Sequence, residues 1–83
     1  MAGPGPERGP AHDVVAVGEV ALIGGFALAG VLTCPAETAE DVRRWWSAAA
    51  EQAAIVILTP DAADALGPLR LDERAPLTVV LPP

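Results

Sequence analysis

A chain of 83 residues carries one domain at most. It is 52% hydrophobic with a formal net charge of −6, too apolar for a disordered chain and too acidic for a binder of phosphate backbones. All five basic residues are Arg, with only Arg43 and Arg44 adjacent, and the single cysteine, Cys34, excludes an internal disulfide framework and any multi-cysteine metal site.

Residues 1–12 (MAGPGPERGPAH) are half Gly and Pro and read as a disordered leader. The folded domain is expected over residues 13–83. Asp13 to Val31 (DVVAVGEVALIGGFALAGV) is the apolar stretch on which the rest packs. Val14 to Gly18 reads as a strand apolar on both faces, as in a sheet covered on both sides. Gly18-Glu19-Val20 is a turn, and Ala21 to Ala29 a helix with Leu22, Phe26 and Ala29 inward. Gly24 and Gly25 are read as letting this helix approach the sheet closely, and Gly30 as its C′ cap.

Two rival readings of this stretch are weaker. It is nearly long enough to span a bilayer, which takes roughly 20 apolar residues. Glu19 would then lie in hydrocarbon, no Lys or Arg lies close to either end, and no aromatic belt flanks it. An exported, lipid-anchored chain would use Val31-Leu32-Thr33-Cys34 as its lipidation site. Arg8 is the only base upstream, however, and Glu7 offsets it.

Val31 to Cys34 reads as a second strand ended by Pro35, which suits a sheet edge. Thr38 opens the clearest helix, with Asp41 at N3 and Glu37, Glu40 and Asp41 near its positive end. Val42, Trp46, Ala49 and Ala53 share its inner face. Trp45 falls about 100° away, at the edge of that face, and is the candidate interface residue. Ala54 to Leu58 is a third strand, again apolar on both faces. Thr59 caps a helix with Pro60 at N1, and Gly67-Pro68 stops it. A charged loop from Leu69 to Pro76 leads to a fourth strand, Leu77 to Leu81. This β-α-β-α-β-α-β order predicts a small Rossmann-like or receiver-like α/β domain. Its parallel sheet is expected in the order 2-1-3-4, with helices on both faces and two bare edges.

No catalytic constellation emerges. His12, the only histidine, lies in the leader, and Cys34 reads as a small buried thiol. Gly18, Gly24 and Gly25 match neither phosphate-loop spacing, and there is no Lys. Glu19 and Asp61 fall at the carboxyl ends of adjacent central strands, where two carboxylates can hold Mg²⁺ in a receiver. Asp61 also suits a helix start, and the lysine and fifth strand of a receiver are absent from this reading. No catalytic, cofactor-binding or metal-binding residue is therefore assigned.

Gly18-Glu19 followed by Gly25-Phe26-Ala27-Leu28-Ala29-Gly30-Val31 resembles the F subunits of the V-type and archaeal A-type ATPases. Ile55-Val56-Ile57-Leu58-Thr59-Pro60-Asp61 and Pro76-Leu77-Thr78-Val79-Val80-Leu81-Pro82 are similar to that family's third and fourth strand regions. The likeness covers residues 14–82. Its turn departs from the family's polar one, reading Val20-Ala21-Leu22-Ile23, and the family's usual C-terminal helix has no counterpart before Pro83. The resemblance implies a non-catalytic member of the rotating central stalk of a proton- or sodium-translocating ATPase or ATP synthase. It would bind the coiled-coil shaft, which is the D subunit, together with other stalk and head subunits, coupling ATP turnover to ion transport. It implies no cofactor, no small-molecule ligand, no nucleic acid and no membrane insertion. The expected location is cytoplasmic, peripheral to the membrane within the complex. Gly18, Glu19, Gly25, Phe26, Leu28, Ala29 and Gly30 carry the motif. The alternative is a degenerate receiver-like signalling or binding domain.

Overall fold

A computed structural model describes residues 14–83; the leader read at residues 1–12, with His12, lies outside them. Four parallel strands form one sheet in the order β2-β1-β3-β4. They are β1 (Val14–Gly18), β2 (Leu32–Pro35), β3 (Ile55–Leu58) and β4 (Leu77–Val80). Three helices connect them: α1 (Val20–Ile23), α2 (Ala39–Ala49) and α3 (Pro60–Leu66). The register sets Val15 beside Leu32 and Val56, Val17 beside Cys34 and Leu58, and Ile57 beside Ala16 and Val79.

Alternation along the strands separates two faces. Val15, Val17, Val56 and Leu58 pack with Val42 of α2 and with Ala62, Ala63 and Leu66 of α3, which is the main core. Ala16 and Ile23, both fully buried, belong to the opposite face under α1. Right-handed crossovers explain the division. The step from β1 to β2 runs one way along the sheet and the two later steps run the other, so α1 is alone on its face.

Thr38 caps α2 by accepting from the Asp41 amide at 3.1 Å, and Thr59 caps α3 by accepting from the Ala62 amide at 3.3 Å. Pro60 occupies the first turn of α3, where its missing N–H costs no intrahelical bond. Asp41 pairs with Arg44 at 3.1 Å rather than turning back to its own cap. Arg43 donates to the Ala65 carbonyl at 3.3 Å, tying α2 to the last turn of α3.

Helix one differs from its expected form. Only Val20–Ile23 is α-helical, and Gly24–Ala29 continues as 3₁₀. Two adjacent glycines weaken the α-helix, and the tighter winding changes which side chains face inward. Ile23 is the buried anchor and Phe26, one 3₁₀ turn on, is half-buried. Leu22 and Ala29 are exposed. A Cβ at Gly24 or Gly25 would meet nothing within 4 Å, so these glycines do not serve close packing on the sheet. The cap at Gly30 is as read. With φ at 84°, its amide donates to Ala27 O at 3.1 Å and that of Val31 to Phe26 O at 3.3 Å. This is a Schellman closure.

Two further expectations change. Trp46 is half-buried like Trp45, because the pair straddles α2 and meets edge to face at 6.4 Å and 62°. Neither Ile55 nor Ile57 of β3 is fully buried, because α1 and its 3₁₀ extension lie mainly over β1 and β2.

Candidate functional site

The carboxyl ends of β1, β2 and β3 carry the loops where sites form in parallel sheets. Here three polar side chains lace those loops together. Glu19, directly after β1, accepts a hydrogen bond from the Thr59 hydroxyl at 2.5 Å. Glu37, in the loop after β2, accepts from the Val20 amide at 2.9 Å and so caps α1 from a distance in sequence. Thr59, directly after β3, is fully buried, and its hydroxyl both donates to Glu19 and accepts from Ala62. Backbone bonds join the same loops: Ala36 N to Gly18 O at 2.8 Å and Thr59 N to Val17 O at 3.3 Å.

Gly18 is obligatory at this junction. A Cβ there would overlap the Cγ2 and Oγ1 of Thr59, and its φ is 152°. The sequence singled out Gly18 and Glu19, yet Thr59, which holds Glu19, lies 40 residues away, and Glu37, which holds the Val20 amide beside them, lies 17 residues from it. Only the strand order could bring them together.

The Thr59 hydrogen bond is the main reason the Glu19 carboxyl titrates below its ordinary value near 4.5; its own backbone amide adds to this and partial burial opposes it. Glu19 is thus held ionised. A threonine hydroxyl beside a carboxylate could suggest a nucleophile and base. Thr59 is closed to solvent and already engaged in both directions, so no substrate reaches it.

A shallow cleft of about 370 Å³ opens between α2 and α3, with Glu19, Glu37, Asp61 and Asp64 among its lining. Glu19 and Asp61 therefore share one cleft, as their positions after adjacent strands predict. Among the described residues, no group of three or more His, Cys, Asp or Glu is placed to hold a metal ion. The remaining motif residues serve different ends. Phe26 is half-buried, Gly30 makes the left-handed closure, and Leu28 is 94% exposed. Trp45 packs against the main core and lies close to Cys34. Burial raises the Cys34 thiol above its ordinary value, with Trp45 opposing. Among the described residues, no helix is long and apolar enough to cross a membrane.

Comparison with protein-family models, with curated proteins and with solved structures finds no match to this chain.

Proposed function

We propose that this chain is a non-catalytic central-stalk component of a V-type or A-type ATPase, binding its coiled-coil shaft. The likeness at Gly18-Glu19 and Gly25 to Val31 supports this reading. The observation that carries it is the exposure of Leu28, at 94%, in the middle of that stretch. With Val20 and Leu22 each more than half exposed nearby, this segment offers apolar surface to an assembly partner. Glu19, Glu37 and Thr59 of the adjacent loops are meanwhile engaged in hydrogen bonds within the chain. Reassembling the complete ATPase with and without the chain tests the reading. Omission lowers ATP-driven ion uptake into vesicles relative to ATP hydrolysed; an unchanged ratio contradicts it.

The receiver-like reading has one observation in its favour, the shared cleft of Glu19 and Asp61. A Mg²⁺ titration followed by amide chemical shifts of these residues decides it, and no response up to millimolar metal removes it.

A further inference from the structure

The α1 side of the sheet is only half covered. Over β3 and β4 the same register row holds Ile55 beside Leu77 and Ile57 beside Val79. Leu77 is 65% and Val79 47% exposed, and both isoleucines are half-buried. The four side chains make a continuous apolar strip two strands wide, bounded by α1 on one side and the sheet edge on the other. Two strand spacings come to about 10 Å. That is the width of one α-helix with its side chains, and the spacing at which helices pack side by side.

The edge itself is closed to an added strand. Leu77 and Leu81 direct their amides at Ala54 O and Leu58 O of the neighbouring strand. The even positions of this segment therefore face outward, and Pro76 and Pro82 fall on that parity without an N–H. Only Thr78 and Val80 remain to pair, too few to register a further strand. A second copy is also a poor occupant of the face. Residues 14–83 carry nine carboxylates against four Arg, so two copies repel. The same imbalance favours a basic partner.

We propose that Ile55, Ile57, Leu77 and Val79 form the seat for one amphipathic helix of a partner protein, apolar toward the strip and flanked by Lys or Arg. If the stalk reading holds, that helix belongs to the shaft; the seat itself does not depend on it.

The probe is an 18-residue Leu/Lys peptide with helical apolar spacing, titrated into the full chain and followed by methyl NMR. A Leu/Glu peptide of the same pattern and a scrambled Leu/Lys peptide are the controls. The expected result is shifts concentrated on Ile55, Ile57, Leu77 and Val79, weaker with Leu/Glu and absent with the scrambled peptide. Leu77→Thr and Val79→Thr, both at exposed positions and both β-formers, each weaken binding about tenfold. Shifts centred on α2 or α3, no shifts, or a dimer whose contact runs through the strip would overturn the proposal. The same two variants assayed against the shaft keep the failures apart. Wild-type binding that ignores both substitutions sinks the seat and leaves the stalk reading standing. No wild-type binding to the shaft sinks the stalk reading, and the peptide result then decides the seat.

Discussion

Gly18 and Thr59, residues on adjacent strand ends, approach so closely that position 18 has no room for a Cβ. The Thr59 side chain fills that space, reaches Glu19 and caps α3. Gly18→Ala therefore acts as overpacking against a buried side chain with no free direction to move. It should lower stability by about 1–3 kcal/mol, and the melting temperature by several degrees or more. Thermal unfolding followed by circular dichroism measures this; a change of less than about 0.5 kcal/mol, the range of a neutral surface change, contradicts the packing described.

Gly24 presents the opposite case. Its backbone is right-handed helical, with φ −55° and ψ −36°, and a Cβ there meets nothing. Gly24→Ala should stabilise the fold by about 0.4–1 kcal/mol, chiefly by restricting the unfolded chain. Destabilisation in the same unfolding assay would mean that α1 lies closer to the sheet than it does here.

Acid should weaken the loop lacing. The Glu19 carboxyl titrates lower in the folded chain than in the unfolded one, so ionised Glu19 favours folding. That contribution is fully present above the ordinary value near 4.5 and is lost as pH falls through the depressed folded value. Denaturant midpoints measured between neutral pH and pH 3 should fall at the acid end. The fall should be smaller in Glu19→Gln. An equal acid slope in both proteins would mean that the Thr59 bond does not set the Glu19 titration.

The fold was largely legible because its strongest signals are local. Thr38 and Thr59 announce helix starts, Pro60 follows its cap, and the strands are short apolar runs between breakers. Pro35 even reports a sheet edge, since it sits where the missing N–H points away from the sheet, the Ala36 amide being the one directed at Gly18 O. The inner face of helix one was not legible, because the α-helix is a single turn that buries Ile23 rather than Leu22, and from Gly24 the winding turns to 3₁₀ and leaves Ala29 exposed. The site was half legible. Gly18 and Glu19 stand out after the first strand, but Glu37 and Thr59 gain their roles only from a three-dimensional neighbourhood. The uncovered strip was hidden too, because a run such as Ile55-Val56-Ile57-Leu58 looks the same whether one face or both are covered.

Cys34 should react slowly. Its thiol packs against the main core and is held protonated to higher pH by burial. Since the thiolate is the nucleophile, iodoacetamide at pH 8 should label the native chain several-fold more slowly than the chain in denaturant. Equal rates would place Cys34 in open solvent.

The stalk reading stands or falls on the shaft. The full chain and the shaft protein of the same cell's ATPase should be co-expressed and passed over a sizing column with light-scattering detection. One peak with the mass of a one-to-one complex is the predicted result. A folded chain that elutes alone, with the shaft protein in a separate peak, would contradict the account.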